Sequence, residues 1–254
     1  MKKNSTTSIS IVMPLYNAKK YIKTAMKSVL NQTFTDWELI VVDDCSTDNP
    51  DEIIYEFLQK DSRIKFIKLK KNFGPAVARN VGIDIAEGKY LAFLDADDIW
   101  KRNKLERQIN FMTQNNISFS FTGYEFADEN GNSTNKIVEV PNKMTYKMSL
   151  KNTIISTPSV IIDLEKVGKA NSYMPNVSHE DSATWWKILK QGHIAYGLNE
   201  SLYYYRRSPK TLSSNKIKSM KMKWNLYRKY EKMAYPKSIF YFSINSFNAL
   251  KKRL

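Results

Sequence analysis

The chain has 254 residues, of which 42% are hydrophobic and 26% are charged, and its eight Gly and eight Pro residues follow no period. These values are typical of a globular protein with one large domain, and they exclude fibrous, disordered and solenoid-repeat proteins. The single cysteine, Cys45, excludes an internal disulfide framework, and the basic, polar start of the sequence does not resemble a secretion signal. We therefore expect a protein of the reducing cytoplasm.

The net charge of +15 is concentrated at one end of the chain. Residues 206–254 contain 14 of the 40 Lys and Arg residues and only one of the 25 acidic residues, Glu231. Such a basic segment suits nucleic acid, anionic lipid or a phosphorylated substrate, and charge alone does not choose among them. No apolar stretch reaches the roughly 20 residues that a membrane-spanning helix needs.

The first hundred residues alternate between short apolar runs and segments with helical spacing. Apolar runs of this length, each ending in polar or turn-forming residues, are typical of buried parallel strands, and the segments between them carry apolar residues on one helical face. The sequence predicts strands over 9–13, 38–42, 64–69 and 90–94, with helices over 18–30, 53–58 and 75–86. This repeated βα pattern predicts an α/β fold with a mostly parallel, doubly wound sheet.

The second hundred residues are less regular. They predict strands over 117–126 and 157–162, a polar turn over 128–133 and a helix over 182–191.

Polar side chains follow several of the predicted strands. In open parallel sheets, ligands bind beyond the carboxyl ends of the strands, where the βα loops converge. One aspartate at such a position commonly caps a helix or forms a turn, but two separate acidic clusters indicate a ligand. The residues at these strand ends are Tyr16, Asn17, Asp43, Asp44, Asp95, Asp97 and Asp98.

The oxygen-rich ligand set of these loops favours Mg²⁺ or Mn²⁺ over zinc, because no His or Cys accompanies the second acidic cluster. Mg²⁺ usually binds through one or two carboxylates together with substrate phosphates, so a nucleoside diphosphate is the expected partner. The sequence has neither a Walker-type loop nor a Gly-x-Gly-x-x-Gly string after its first strand. Their absence counts against P-loop kinases and dinucleotide-dependent oxidoreductases.

Several short strings, in one order and spacing, together resemble the inverting family-2 glycosyltransferases. Each string is weak by itself, and their combination carries the resemblance as far as Ser213. The strings are Pro14-Leu15-Tyr16-Asn17, Val42 to Asp48, Asn72-Phe73-Gly74 with Ala78-Arg79-Asn80, Gly82 to Gly88, Asp95-Ala96-Asp97-Asp98, Glu180-Asp181 with Trp185 and Gly192, and Tyr205-Arg206-Arg207.

The resemblance implies a GT-A fold and transfer of a sugar, with inversion, from a nucleotide-diphosphate donor. It implies a nucleotide-sugar site at Pro14, Tyr16, Asn17, Asp43, Asp44, Arg79, Asp95, Ala96 and Asp97. Within that site, Asp44, or else Asp43, is expected to accept a hydrogen bond from the pyrimidine. Asp97 is the expected ligand of Mn²⁺ or Mg²⁺, and Asp95 is expected to contact the ribose or the water shell of the metal.

By the same resemblance, Asp181 is the catalytic base, which inversion requires on the face of the sugar opposite the leaving group. The alternative is that the acidic pair Glu180 and Asp181 only favours the start of a helix. Glu180, Trp185 and Arg206 are weaker candidates for the acceptor site. Trp185 could stack on a sugar ring or belong to the core.

Where many relatives carry a His after the Tyr-Arg string, this chain reads Arg206, Arg207 and Ser208, so an arginine could contact the diphosphate instead. His179 could be a ligand, an acid or an ordinary loop residue. Cys45 is expected to be a small packing residue.

The last forty residues predict two basic amphipathic helices, over 215–235 and 238–250, separated by Pro236. Lys216 and Lys223 interrupt the apolar side of the first helix, and the second is rich in aromatic residues. Such helices are typical of membrane-surface anchors, where each basic residue near an anionic leaflet contributes about 1 kcal/mol. The alternatives are packing on the catalytic domain, a homodimer contact, and binding of nucleic acid, which we do not expect.

The sequence therefore predicts a GT-A domain over 1–213, with a nucleotide-binding half at about 9–98 and an acceptor half at about 99–213, and a basic helical tail over 214–254. The expected activity is metal-dependent transfer from a UDP-sugar to an undecaprenyl-diphosphate-linked saccharide in the synthesis of capsule, O-antigen or a related polysaccharide. The expected location is the inner face of the cell membrane. The alternatives are a sugar nucleotidyltransferase and a non-enzymatic module that binds membrane or nucleic acid.

Overall fold

The computed structural model describes residues 8–207 and 216–251. Ser213 and the predicted boundary between residues 213 and 214 lie outside the described residues.

The first half of the sheet consists of four parallel strands with β1 near its centre. β1 pairs with β2 on one side and β4 on the other, and β2 pairs with β3. Each strand of the central three is buried along nearly its whole length, which explains their continuous apolar runs. The elements are β1 (Ile9–Leu15), α1 (Lys19–Leu30), β2 (Trp37–Asp43), α2 (Asp51–Leu58), β3 (Ile64–Lys68), α3 (Pro75–Ile85) and β4 (Tyr90–Phe93).

The second half continues the same sheet with mixed strand directions. The full order is β3-β2-β1-β4-β9-β6-β10-β5, with β7 on β6 and β8 on β10. β9 runs antiparallel to both of its neighbours, whereas β10 runs parallel to β6. The strands are β5 (Ile99–Trp100), β6 (Phe119–Ala127), β7 (Ser133–Val138), β8 (Lys143–Met144), β9 (Ile161–Asp163) and β10 (Ala195–Arg206).

Two predictions for this half need correction. The predicted strand over 157–162 is a 3-10 turn, Thr157–Ser159, followed by the three residues of β9. Pro158 explains the difference, because proline cannot donate a hydrogen bond to a strand ladder. The twelve-residue strand β10 was not predicted at all.

Helices pack on the sheet of the second half and help to position the site. The structure has α4 (Lys104–Gln114), α5 (Tyr146–Lys151), α6 (Leu164–Val167), α7 (Lys169–Ser172) and α8 (Glu180–Lys190). The helix predicted over 182–191 is α8, which begins two residues earlier and so includes the acidic pair.

The C-terminal segment folds back onto the domain. It consists of α9 (Lys216–Asn225), a π-helical turn over Leu226–Tyr230, and α10 (Tyr235–Lys251). Leu226 and Tyr227 are buried with Leu150, Ala183 and Trp186 in a second hydrophobic core, which we call the tail core. The Tyr227 hydroxyl donates a 2.6 Å hydrogen bond to the carbonyl of Leu150.

The tail helices differ from their prediction in two ways. The first helix ends at Asn225 and not at 235, and Pro236 stands in the first turn of α10, where a proline is tolerated. One apolar side of the segment packs on the domain, as the packing alternative predicted. Within residues 8–207 and 216–251, no helix combines the length and apolarity that crossing a membrane requires.

Candidate active site

Hydrogen bonds from polar side chains connect the loop after β1 with the loop after β2. Asn17, in the left-handed region at φ 49°, accepts a 2.8 Å hydrogen bond at Oδ1 from the backbone N–H of Thr47. Asp43, fully buried, accepts hydrogen bonds from the backbone N–H and the hydroxyl of Ser46. Tyr16 stands beside them with half of its surface exposed. Asn17 and Asp43 therefore shape the loops, while Tyr16 is free to contact a ligand.

Asp44 connects the end of β2 to the loop before α3. Its Oδ1 accepts a 2.8 Å hydrogen bond from the N–H of Phe73, and its Oδ2 accepts one of 2.7 Å from the N–H of Gly74. Gly74 has a φ of +92°, which favours glycine at this turn. Each carboxylate oxygen has a second lone pair, so the pyrimidine contact expected of Asp44 stays a prediction.

Arg79 is the buried centre of the site. From α3 its guanidinium reaches Oδ1 of Asp95 beyond β4 and Oε1 of Glu180 in the first turn of α8, at 2.7 Å in both cases. These two carboxylates, together with the nearby Asp181, raise the pKa of Arg79 further above its usual range despite its burial. We call this arrangement the Arg79 bridge. It joins the nucleotide-binding half of the domain to the start of α8.

The Asp95–Asp98 turn concentrates negative charge next to the bridge. The N–H of Asp98 donates to the carbonyl of Asp95 at 3.0 Å, and this contact closes the turn. Burial and the neighbouring Asp95 raise the pKa of Asp97 to about 6. Burial and both neighbours also raise the pKa of Asp98, whose Oδ1 accepts a 2.9 Å hydrogen bond from the N–H of Arg206. A bound cation would relieve this repulsion.

The residues of this turn fit a divalent cation that also binds the substrate. The described part of the chain contains no group of three or more His, Cys, Asp or Glu side chains able to hold a metal by themselves. Asp95 and Asp97 offer two carboxylates, which is the protein share of a typical Mg²⁺ or Mn²⁺ site completed by water and substrate phosphates. Ala96 lies buried between them.

Asp181 lies in the first turn of α8, next to Glu180, which binds Arg79 at the opposite end of the bridge from Asp95. Its Oδ1 accepts a 2.6 Å hydrogen bond from the N–H of Ser182, and Oδ2 lies 3.4 Å from the hydroxyl of Thr157. The side chain is partly exposed and has no ion-pair partner within the described ranges, 8–207 and 216–251. Asp181 is thus a carboxylate that an incoming hydroxyl could reach.

The three acceptor candidates lie in different environments. Trp185 is only 2% exposed and packs between Phe93 and Phe119, so the expectation that it stacks on a sugar is wrong: it belongs to the core. Glu180 is occupied by Arg79. Arg206 is buried with its guanidinium 4.7 Å from the ring centre of Tyr21, and its charge opposes the rise in the pKa of Asp97.

Sequence reasoning missed one residue in the region of Asp181, Lys223, and left the role of another, His179, open. Lys223 of α9 donates to the hydroxyl of Thr153 at 2.7 Å and to the amide oxygen of Asn245 at 3.1 Å, and it interacts electrostatically with Asp181. His179, at φ 59°, precedes α8, and its ring is hydrogen-bonded to the backbone of Ser219. The sequence did contain a signal for Lys223, because this residue interrupts the apolar side of the first tail helix.

Comparison with known proteins identifies the family. The model of the family described as Glycosyl transferase family 2 matches residues 10–162, which include β1 to β9 and the Asp95–Asp98 turn. The chain belongs to glycosyl transferase family 2. The predicted family and enzyme class are therefore confirmed.

Family-2 relatives match this chain along most of its length. TuaG of Bacillus subtilis (strain 168), provisionally named as a teichuronic acid biosynthesis glycosyltransferase, is 44% identical over 97% of both chains. An Escherichia coli protein, WfgD, is 42% identical over 86% of this chain and 84% of its own. WfgD is named as a UDP-Glc:alpha-D-GlcNAc-diphosphoundecaprenol beta-1,3-glucosyltransferase.

Solved structures confirm the GT-A fold. Staphylococcus aureus TarS 1-349 in complex with UDP matches with a TM-score of 0.65 and 24% identity, over 87% of this chain and 66% of that one. The mannosyltransferase PcManGT of Pyrobaculum calidifontis, in complex with GDP-Man and Mn²⁺, matches with a TM-score of 0.69 and 17% identity. That match covers 89% of this chain and 64% of the other.

Proposed function

We propose that this glycosyltransferase moves a sugar, with inversion, from a UDP-sugar to a saccharide carried on a lipid diphosphate during synthesis of a cell-surface polysaccharide. The Arg79 bridge is the observation that carries the proposal. It holds Asp95 at one end and the start of α8, with Asp181, at the other. One buried cation would thus hold the diphosphate side of the site and the proposed base around a single place, where the donor sugar and the acceptor hydroxyl meet.

The nucleotide would lie over the loops after β1 and β2. The exposed ring of Tyr16 offers a stacking surface, and Pro14, Asn17 and Asp44 would form the rest of the pocket. The choice of UDP is supported by the name of WfgD and by the UDP complex of TarS. The choice of a lipid-diphosphate acceptor is supported by WfgD.

Asp97 and Asp95 would hold Mn²⁺ or Mg²⁺. When bound, that cation supplies Lewis-acid stabilisation of the negative charge on the departing diphosphate. Arg206, whose charge already acts on Asp97 and Asp98, is positioned to add to that stabilisation.

Asp181 would act as the base. As the acceptor hydroxyl attacks the anomeric carbon, Asp181 takes its proton, and the bond from that carbon to the diphosphate oxygen breaks with its electron pair. Glu180 cannot easily share this task, because Arg79 holds it at 2.7 Å.

The outer face of α10 would rest on the membrane that carries the acceptor. Ile239, Phe240 and Phe247 are each more than half exposed on this helix, and Lys232 and Lys237 are exposed nearby. Aromatic and basic residues on one exposed surface suit an anionic bilayer. The opposite side of the segment is occupied by the tail core.

Vesicle flotation tests this membrane contact. With vesicles rich in phosphatidylglycerol, the wild-type protein should float, whereas F240S/F247S should stay at the bottom of the gradient. Tyr55→Ser, which removes an exposed aromatic residue far along the chain from α10, should float like the wild type. Equal flotation of all three proteins would contradict a role for this face.

Nucleotide release from a panel of UDP-, GDP- and dTDP-sugars tests the activity itself. We expect UDP to be released only in the presence of Mn²⁺ or Mg²⁺, not with EDTA, and faster when a lipid-diphosphate saccharide is added. Pyrophosphate as the product would indicate the nucleotidyltransferase alternative. A protein that releases nothing in the presence of both substrates would contradict the proposal.

A further inference from the structure

Helix α9, which lies outside the βα loops, places a cation in the region of the proposed base. Lys223 contacts Thr153, before the Thr157–Ser159 turn, and Asn245 of α10. Thr157 in turn lies 3.4 Å from Asp181. The C-terminal helices therefore contribute a side chain to the neighbourhood of the reacting groups.

The environment of Lys223 is unusual for an ammonium group. Both of its hydrogen-bond partners are neutral, and no carboxylate in the described part of the chain forms an ion pair with it. Burial lowers its pKa to about 8, and Asp181 opposes this effect only at a distance. Holding an unpaired cation in such a place costs free energy. An anionic ligand would remove that cost.

One ring nitrogen of His179, in the same region, has no hydrogen-bond partner among the described residues. His179 precedes Asp181 by two residues, and this nitrogen, Nε2, is buried. Lys223 and Asp181 both act on the pKa of this ring, so the three groups share one small region. The ammonium of Lys223, whose hydrogen-bond partners are both neutral, suits an anion better than a neutral sugar.

The acceptor brings such an anion to this region. If Asp181 takes the proton of a sugar hydroxyl, the diphosphate on the same sugar lies only about one ring away. The donor diphosphate belongs on the other side of the Arg79 bridge, at Asp95 and Asp97. We propose that Lys223 binds the diphosphate of the lipid-linked acceptor, which makes the C-terminal helices part of the acceptor site. This inference rests on the proposed function.

Paired acceptors test the inference. One acceptor is a short-chain lipid diphosphate saccharide, and the other is the same saccharide on an uncharged alkyl chain. For Lys223→Met we expect the KM of the diphosphate acceptor to rise about tenfold or more, since a hydrogen bond to a charged group is lost. Two quantities should stay within about twofold of the wild type, because neither involves an acceptor phosphate. They are the KM of the uncharged acceptor and the rate of UDP release without acceptor.

Two variants control for folding and for charge in general. Lys221→Met removes an exposed lysine of the same helix and should behave like the wild type on both acceptors. Lys223→Arg keeps the charge and should recover most of the affinity for the diphosphate acceptor. Melting temperatures show whether each variant is folded, and Lys223→Met is expected to melt no lower than the wild type.

The results that would contradict the inference differ from those that would contradict the proposed function. If Lys223→Met weakens both acceptors equally, or neither, Lys223 does not bind the diphosphate and the inference is wrong. If the wild type releases no UDP and uses neither acceptor, the proposed function fails first and the inference fails with it.

Discussion

The nucleotide-binding half and the C-terminal helices reach the site by different physical means. In the first half, parallel strands bring their carboxyl ends to one edge, so Asp44 and Asp95 are placed by the sheet itself. The C-terminal helices are placed by the tail core, and they contribute Lys223 through packing alone. A local pattern therefore predicts the first region, whereas only the folded domain defines the role of the second.

Truncating Tyr227 tests whether the C-terminal helices belong to the domain. This side chain is fully buried against Trp186, and its hydroxyl bonds to Leu150, so Tyr227→Ala should destabilise the protein by about 3–5 kcal/mol. Urea unfolding measures the change, and Phe247→Ala, on an exposed residue of α10, is the control and should have little effect. No difference between the two variants would show that the tail is an independent appendage.

The Arg79 bridge joins the nucleotide-binding half to the start of α8, the helix against which the C-terminal segment packs. Arg79→Leu leaves Asp95 and Glu180 unpaired, and we expect a loss of about 3 kcal/mol in the free energy of unfolding. Because an ammonium cannot span both carboxylates as the guanidinium does, Arg79→Lys should recover only part of this loss. Thermal and urea unfolding provide the comparison. Full stability of Arg79→Leu would mean that the bridge does not hold α8 to the nucleotide-binding half.

A substitution at Gly88 tests how closely the first half of the domain is packed. A Cβ added there would lie 2.6 Å from the backbone N of Ser10 in β1, and its neighbours cannot give way easily. Gly88→Ala should therefore cost about 1–3 kcal/mol in the free energy of unfolding. Lys89→Ala, at the exposed neighbouring position, should change it by less than about 1 kcal/mol. Equal stability of the two variants would contradict the close approach of the 82–88 segment to β1.

The acceptor site should respond to alkaline pH through Lys223. Since its pKa is lowered to about 8, Lys223 loses its charge as the pH rises through that value, and the KM of the diphosphate acceptor should rise several-fold between about pH 7.5 and 9. The titratable groups facing it are Asp181 and His179, which the uncharged acceptor also encounters. The ratio of the two KM values therefore isolates Lys223. A flat ratio in the wild type, or an equal rise in Lys223→Arg, would contradict this assignment.

Sequence reasoning worked best where one strand pattern determines both burial and position. The ends of β1, β2 and β4 follow from apolar runs that stop at polar residues, which is why Asp44, Asp95 and Asp97 could be placed at one edge. Arg79 came from the family resemblance, and its contact with Glu180, 101 residues further on, had no local signal.

The predictions that were wrong or missing have physical causes that a single sequence does not show. β10 contains shifts in register between Leu198 and Ser201, so its side chains do not alternate regularly in the sequence. For Trp185 the sequence left sugar stacking and core packing open, and only the fold shows that Phe93 and Phe119 pack against it. Lys223 interrupts an apolar stripe, and only the fold shows that Thr153 and Asn245 receive its ammonium.

The central claim is that Asp181 is the base and that the Arg79 bridge holds it in one site with the metal-binding turn. Replacing Asp181 by Asn tests this claim most directly. In Asp181→Asn we expect transfer to the lipid-diphosphate acceptor to fall by about 10²–10⁴-fold, because an amide cannot take the proton. Calorimetry should show UDP binding with Mn²⁺ within about twofold of the wild type, since Asp181 has no part in holding the nucleotide. Transfer at the wild-type rate, or equal losses of UDP binding and transfer, would contradict the account.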